Sequence, residues 1–316
     1  MDVVMHTIYF DKSFASDRAI EQQLVATIGF FDGVHKGHQF LIDRLKETAD
    51  EFKLPSAIIT FSVHPREVLQ SSYRPPLLLD FDEKLNKLAA AGADYCIVLD
   101  FTPELAALSA REFICDKLAT ILNVKVLLVG YDHKFGKDRT DGFEEYKQYG
   151  SECGMIVLQM PPLAGKNKYI SSTSIRNFLK EGNVKQANEF LGYLYSLEGI
   201  VIHGDELGRT LGFPTANVDC SRAGKIIPAS GVYATFIEVN GTERKGMTYI
   251  GTRPTVLPEG ELRIEVNIFD FTGNLYGEKI RIRFIDRIRG DEKFTSPDSL
   301  KKQLENDREA VKRIMT

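Results

Sequence analysis

Two histidines stand on either side of a glycine in the segment GFFDGVHKGH, residues 29–38. The segment follows an apolar run and precedes a helical pattern, and a helix N-terminus after a buried strand offers free N–H groups to phosphates. His35 and His38 can point at the same anion and stabilise charge that builds up on a phosphoryl group during transfer. The alternative is an ordinary turn with two surface histidines. We predict a phosphate site with both histidines as catalytic residues and with phosphate contacts from Gly29, Phe31, Asp32, Gly33 and Gly37.

A second polar cluster, ISSTSIR at residues 170–176, opens a late helical pattern. Ser171 or Ser172 can cap this helix, while Thr173 and Arg176 are three residues apart and share one helix face. Hydroxyls, free N–H groups and a guanidinium would then converge on phosphate oxygens. The alternative is a plain serine cap with a solvated arginine. We predict phosphate contacts from Ser172, Thr173 and Arg176.

The second half contains the segment HGDELGRTLGFPTAN, residues 203–217, in which glycines recur every four residues. Such a loop suits a flap whose amides reach phosphate oxygens. We predict phosphate contacts from Gly204, Gly208, Arg209 and Gly212.

Oxygen ligands and a carboxylate complete this second cluster. Thr215 and Asn217 are two residues apart, so in extended backbone they face the same way and could hold Mg²⁺ together with nucleotide phosphates. Glu265, on the polar face of a later strand, could accept the proton of an attacking hydroxyl. Alone, it would more simply form a cross-strand ion pair. Neither cluster contains a Walker A string, so we expect no P-loop fold.

The first half of the chain alternates strands and helices. Asp80 with Glu83, and Ser109 with Glu112, have the spacing of capping boxes, and Gly92 is a plausible helix stop. This alternation predicts an α/β domain with an open, doubly wound parallel sheet. Its strands would be apolar runs that suit burial on both faces, at residues 24–30, 57–63, 95–101, 124–130 and 155–160.

Beyond residue 190 the pattern becomes one of short strands and turns. Asn240-Gly241 is a strong hairpin signal, residues 263–271 and 279–285 alternate, and residues 297–314 have an apolar stripe at helical spacing. We predict a mostly antiparallel β-barrel with a terminal helix. The boundary would fall at about residues 182–192, which divides the chain into domains 1–186 and 187–316.

Composition excludes several functional classes. The chain has 40 Lys and Arg against 44 Asp and Glu, without a basic block, which argues against binding nucleic acid or membranes by bulk charge. Four scattered cysteines read as reduced thiols, no signal peptide is evident, and apolar runs are shorter than a membrane span. These features favour a cytoplasmic protein.

Both N-terminal motifs resemble the H-x-G-H and I-S-S-T-x-I-R signatures of a nucleotidyltransferase superfamily. Residues 60–65 and 129–136, TFSVHP and VGYDHKFG, resemble segments of bacterial flavin adenylyltransferases. The resemblance implies that His64, Asp132 and Arg139 shape the ATP and FMN site. Val63 and His133 depart from the usual pattern there.

Residues 204–217 resemble the G-x-x-x-G-R-x-x-G-F-P-T-A-N string of riboflavin kinases. The resemblance implies that Thr215 and Asn217 bind the metal, that Glu265 is the general base and that a loop from Arg289 to Phe294 covers the flavin. Asn267 stands where histidine is common.

The two resemblances together imply a bacterial-type bifunctional riboflavin kinase/FAD synthetase. Such an enzyme would bind riboflavin, FMN, FAD and ATP, with Mg²⁺ as the expected metal and Mn²⁺ left open; protein partners are left open too. Two alternatives are a flavin-binding sensor with drifted sites and a nucleotidyltransferase that acts on another phosphorylated acceptor.

Overall fold

The computed structural model describes residues 5–13, 20–69, 75–130, 134, 136–137, 140–161, 170–204, 208, 211–221, 224–252 and 262–316. The chain divides into two compact units, Met1–Ser171 and Ser172–Thr316.

A parallel sheet of six strands organises the first unit. The strands are β1 (His6–Phe10), β2 (Leu24–Ile28), β3 (Ser56–Phe61), β4 (Tyr95–Leu99), β5 (Val124–Val129) and β6 (Ile156–Gln159). Their order is β1-β4-β3-β2-β5-β6, and every pair is parallel. The predicted α/β class and five of the strands are confirmed. The sequence prediction missed β1, an edge strand whose residues are mostly not buried and which lacks a continuous apolar run.

The helices of the first unit are α1 (Lys36–Phe52), α2 (Pro65–Leu69), α3 (Phe81–Ala90), α4 (Pro103–Ala106), α5 (Ala110–Glu112) with a π-helical continuation (Phe113–Ile121), and α6 (Phe143–Glu152). Both predicted capping boxes are present, since Asp80 and Ser109 each exchange hydrogen bonds with the glutamate three residues later. Gly92 follows α3 with φ of 79°, as a helix stop requires.

A closed antiparallel barrel organises the second unit. Its strands are β7 (Ser196–Ile202), β8 (Ala216–Asp219), β9 (Gly231–Val239), β10 (Thr242–Thr252), β11 (Leu262–Ile268) and β12 (Lys279–Arg289), in the order β10-β11-β8-β7-β12-β9. Helices α7 (Ser172–Lys180) and α8 (Val184–Leu191) precede the barrel, and α9 (Pro297–Ile314) follows it. The predicted barrel with a terminal helix is confirmed.

The β9–β10 hairpin confirms the turn signal. Asn240 and Gly241 have φ of 48° and 74°, and a two-residue turn whose twist matches the strands needs positive φ at both positions.

Helix α8 is tied to the barrel by one side chain. The Asn188 amide donates to the Phe284 carbonyl at 2.8 Å, and its oxygen accepts from the Tyr195 N–H at 2.7 Å. Helices α7 and α8 therefore belong to the same compact unit as the barrel. The functional boundary between residues 186 and 187 stays a prediction.

A buried ion pair holds α9 against the barrel. Asp307, 1% exposed, accepts from Nε of Arg289 at 3.1 and 3.0 Å through its two oxygens, and from Nη2 at 2.9 Å. Val311 is fully buried on the same helix, whereas Ile314, which the predicted stripe included, is 43% exposed. The stripe therefore packs into the core at Val311 but not at Ile314.

We expect Asp307→Ala to destabilise the second unit by about 3 kcal/mol, because the mostly buried Arg289 guanidinium loses its bidentate carboxylate partner and keeps only the more distant, exposed Glu292 at 3.9 Å. Urea unfolding followed by circular dichroism measures the change. Glu305→Ala, at an exposed position of the same helix, is the matched control. Equal stability of both variants would contradict the anchoring role.

Candidate active sites

The histidine pair lies at the start of α1, just after β2. His35 is the N-cap residue, and its Nδ1 accepts a hydrogen bond from the His38 N–H at 3.3 Å. The two rings are stacked, with centroids 3.6 Å apart and planes at 15°. Phe31, whose φ is 57°, presents its ring to His38 at 5.1 Å. The structure thus brings the two predicted catalytic histidines into direct contact.

Gly37 makes room for this stack. A Cβ at that position would lie 3.2 Å from both Cε1 and Nδ1 of His35, and 3.5 Å from the Ile170 carbonyl. Because 3.2 Å is tighter than ordinary van der Waals contact, a larger residue would push the His35 ring away from the helix start.

The environment keeps His38 neutral. Burial, with a smaller contribution from His35, lowers the pKa of His38 well below its ordinary 6.5. Its Nδ1 is sealed from solvent and has no hydrogen-bond partner among the described residues. An unpaired buried nitrogen costs stability and is typical of positions retained for chemistry. His38 can therefore contact an anion as a neutral donor.

Asp32 faces inward. Its carboxylate, 3% exposed, accepts from the Leu78 N–H at 3.0 and 3.2 Å and from the Leu79 N–H at 3.3 Å. The Asp32 side chain thereby connects residues 29–35, the histidine loop, to the segment before α3. Its predicted contact with ATP stays a prediction, as do those of Gly29, Gly33 and Phe31.

The remaining predicted residues of the nucleotidyltransferase site differ in placement. The half-buried His64 meets the Phe30 ring edge-on at 4.5 Å, and its Nδ1 accepts from the Arg66 N–H at 3.0 Å. Ser172 begins α7, and Thr173 and Arg176 follow on it in the second unit. Their contacts with ATP stay predictions. Asp132, Arg139 and, from the second cluster, Arg209 lie outside the described residues.

The second cluster opens into a cavity of about 380 Å³ on the barrel. Strand register pairs Glu265 of β11 with Asn217 of β8, and the Thr215 hydroxyl donates to the Glu265 carboxylate at 3.3 Å. The structure therefore assembles the predicted metal ligands and the predicted base at one wall. Much of the remaining wall is apolar, formed by Leu211, Phe213, Val232, Met247, Phe294, Leu300 and Leu304.

Two glycines allow the flap segment to approach this wall. A Cβ at Gly204 would collide with the Asn217 amide, and one at Gly208 would collide with the Phe213 carbonyl. Only glycine fits such close contacts without displacing the predicted metal ligands. Gly212, with φ of 83°, turns the chain between them and Thr215.

Asn267 and Tyr249 are polar residues of the cavity that the sequence analysis did not select as site residues. The Asn267 amide, 6% exposed, donates to the Pro214 carbonyl at 2.7 Å and so braces the backbone next to Thr215. The Tyr249 hydroxyl donates to Asp291 at 3.0 Å; burial and that bond raise the pKa of Tyr249 to about 12. The alternation of β10 could have signalled Tyr249, which shares a face with Met247.

Arg289 and Phe294, predicted to touch flavin, both line the cavity. The Arg289 guanidinium is 5.5 Å from the centre of the Phe294 ring while it is bonded to Asp307. The arginine thus joins the cavity rim to the terminal helix. Flavin contact by either residue stays a prediction.

Comparison with known proteins finds two family models along the chain. Residues 17–174 match the family model described as FAD synthetase, and residues 191–315 match the model described as riboflavin kinase. The chain is thus a two-part transferase of flavin cofactor synthesis.

Curated relatives match over nearly the full length. Bifunctional riboflavin kinase/FMN adenylyltransferase of Escherichia coli K12 is 39% identical over 92% of each chain, and that of Bacillus subtilis 168 is 37% identical over 99% of each. The chain belongs to the family of bifunctional riboflavin kinase/FMN adenylyltransferases. The stated resemblance and the two transferase activities are confirmed.

A crystal structure described as a macrolide-efflux protein from Streptococcus pneumoniae has the same fold, with a TM-score of 0.87 and 35% identity over 98% of this chain and 99% of that one. In the part of the present chain that is described, no helix is both long and apolar enough to cross a membrane.

We expect the His38 imidazole to stay neutral at and somewhat below pH 6.5, because burial and His35 lower its pKa. The unfolded chain takes up that proton near pH 6.5, so this residue makes folding less favourable as pH falls through that value. NMR titration of the ring nuclei measures the state directly. A His38 signal that titrates at the ordinary pKa would contradict the assignment.

Proposed function

We propose that the barrel cavity is the riboflavin kinase site and that the histidine loop is the FMN adenylyltransferase site. The observation that carries the first half is the convergence of Thr215, Asn217 and Glu265 at one cavity wall. The stacked histidine pair at the start of α1 carries the second half.

In the kinase reaction, the Glu265 carboxylate accepts the proton of the ribityl hydroxyl of riboflavin as that oxygen attacks the γ-phosphorus of ATP. A bond forms from this oxygen to phosphorus, and the bond from phosphorus to the β–γ bridging oxygen breaks. FMN and ADP result. The bond between the Thr215 hydroxyl and Glu265 orients the carboxylate toward the cavity.

The residues at this wall fit a hard cation. Thr215 and Asn217 supply oxygen atoms, which Mg²⁺ and Mn²⁺ both accept. Among the described residues, no three His, Cys, Asp or Glu side chains cluster as a metal cage. Nucleotide phosphates and water would therefore complete the coordination, and a bound Mg²⁺ would neutralise phosphate charge.

The apolar side of the cavity suits the flavin ring system, with Arg289 and Phe294 at its rim. The glycine-rich segment would cover the phosphates, with contacts from Gly204, Gly208, Arg209 and Gly212.

In the adenylyltransferase reaction, a phosphate oxygen of FMN attacks the α-phosphorus of ATP. The bond from that phosphorus to the α–β bridging oxygen breaks, and pyrophosphate leaves with FAD as the product. Because no covalent intermediate with the protein is needed, His35 and His38 act as donors that stabilise the transition state. Ser172, Thr173 and Arg176 would hold the β- and γ-phosphates, while His64, Asp132 and Arg139 would shape the nucleotide and flavin pocket.

The proposed compartment is the cytoplasm, where MgATP is available and thiols stay reduced. All four cysteines are free, in keeping with that proposal. The proposed ligands are riboflavin, FMN, FAD and ATP, without nucleic acid or membrane.

We expect two variants to separate the activities. Glu265→Gln should slow FMN formation from riboflavin and MgATP by roughly 100-fold or more, because it removes the general base. His38→Ala should slow conversion of added FMN to FAD by roughly 100-fold, because it removes a transition-state donor. Each variant should keep the other activity, and chromatography of the flavins measures both rates.

Glu278→Gln and His6→Ala, exposed residues of the same two units, are the matched controls. An unchanged FMN rate in Glu265→Gln, or an unchanged FAD rate in His38→Ala, would contradict the assigned role. If the wild-type protein forms neither product, the result would favour the alternative that the protein is a flavin-binding sensor.

A further inference from the structure

A buried lysine connects the two loops of the proposed adenylyltransferase site. Lys84 projects from α3 and is 3% exposed. Its ammonium donates to the Phe61 carbonyl at 2.8 Å, and to the Phe30 carbonyl and the Thr60 hydroxyl at 3.3 Å each. Phe30 directly precedes the turn that leads to the histidine pair, and Phe61 ends β3, just before the segment that carries His64.

Aromatic rings complete the surroundings of this ammonium. The nitrogen lies 4.2 Å from the centre of the Phe30 ring and 5.2 Å from that of Phe81. His64 contacts the same Phe30 ring at 4.5 Å. Lys84 therefore positions the Phe30 ring as well as its carbonyl, and through that ring it supports His64.

Burial of the Lys84 ammonium is energetically unfavourable, which indicates that the charge has a functional role. Desolvation lowers the pKa of Lys84 from its ordinary 10.5 to about 8, against smaller raising effects of Asp32 and Cys96. The ammonium is surrounded by two carbonyls, a hydroxyl and aromatic faces, none of which carries a negative charge. Its attraction to Asp32 is smaller than the desolvation effect. A methionine or leucine would fill the space without a buried charge. The charge instead attracts the carbonyl dipoles at the ends of two neighbouring strands.

We propose that Lys84 is a positioning residue for adenylyl transfer, which holds the loop of His35 and His38 in register with the loop of His64. The inference rests on the proposed adenylyltransferase site. Lys84 acts through Phe30, Thr60 and Phe61 and has no assigned contact with substrate.

The titrating groups around Lys84 give the proposal a pH signature. Cys96 on β4 has a pKa raised to about 12 by its own burial, and the pKa of His38 lies well below 6.5, so neither changes charge between pH 7 and 9.5. The other acidic or basic groups near Lys84 or Phe30 are the Asp32 carboxylate, from the β2 side, and His64. The ammonium loses its proton near pH 8, and with it the attraction to the two strand ends.

Activity and stability should then move in opposite directions. Below pH 8 Lys84 is charged in both the folded and the unfolded chain, and folding carries the full desolvation cost. Between pH 8 and 10.5 the folded chain loses the proton first, so the stability contributed by this residue rises. Adenylyl transfer should fall over the same range. A merely structural lysine would make activity follow stability.

The experiment measures FMN-to-FAD conversion by the full chain from pH 6.5 to 9.5, with riboflavin kinase activity of the same samples as an internal reference. The wild-type adenylyltransferase rate should decline above about pH 8 relative to the kinase rate. Lys84→Met should lower kcat/KM for FMN adenylylation by roughly tenfold or more, since a small displacement of a catalytic group has a large effect on rate. It should also abolish the alkaline decline and leave the kinase rate within about twofold.

Thermal unfolding of both proteins at each pH completes the test. The Tm of the wild type relative to Lys84→Met should rise with pH while the ratio of their FAD-forming rates falls. Lys147→Met, at an exposed position of α6, is the control and should behave as wild type.

A Lys84→Met protein with normal FAD formation, or with a reduced rate that keeps the alkaline decline, would overturn the proposal. If this variant does not fold, the wild-type profile decides: a flat ratio of the two activities from pH 7 to 9.5 would overturn it. Absence of FAD from the wild type at every pH would instead refute the proposed function.

Discussion

Strand register is the constraint on which both sites depend. In the first unit, the parallel pairing of β2 with β3 places their carboxyl ends together, and the Gly29 N–H donates to the Ile59 carbonyl at 3.0 Å at that edge. In the barrel, antiparallel pairing sets Glu265 opposite Asn217. A slip of one residue would turn Glu265 to the other face of β11. Chemistry in each unit is therefore tied to the hydrogen-bonding pattern of its sheet.

Strand pairing does not fix the conformation of the loops, which are held instead by buried polar side chains. Asp32 binds two backbone N–H groups before α3, and Asn267 binds the carbonyl beside Thr215. Arg289 and Asp307 join the cavity rim to the terminal helix. Each such group is satisfied by a fixed partner, which makes the loop geometry specific.

Features written in local sequence could be predicted. Continuous apolar runs indicated strands β2 to β6, serine and aspartate with glutamate three residues later indicated capping boxes, and Asn240-Gly241 indicated a hairpin. The terminal helix has the predicted bounds, Pro297–Ile314. The histidine pair and the Thr215–Asn217–Glu265 set were also recognisable, because their spacing and surrounding motifs are specific.

Features that depend on distant contacts could not be predicted. Only one residue of the edge strand β1 is buried, so its pattern resembles that of a loop. Lys84 shares the buried side of α3 with Leu88, which was the one available signal, but its three acceptors lie on other elements. Tyr249 meets Asp291 across the cavity, and α8 meets β12 through Asn188. Such pairs form only when the chain has folded.

The central claim is that one chain performs two different phosphorus chemistries, at the γ-phosphorus and at the α-phosphorus of ATP. Wild-type protein given riboflavin and ATP labelled in either the γ- or the α-phosphate tests it most directly, with the label in purified FMN and FAD as the readout. We expect FMN to carry only the γ label and FAD to carry one phosphorus from each position. FMN labelled from the α-phosphate, or FAD that lacks either label, would contradict it.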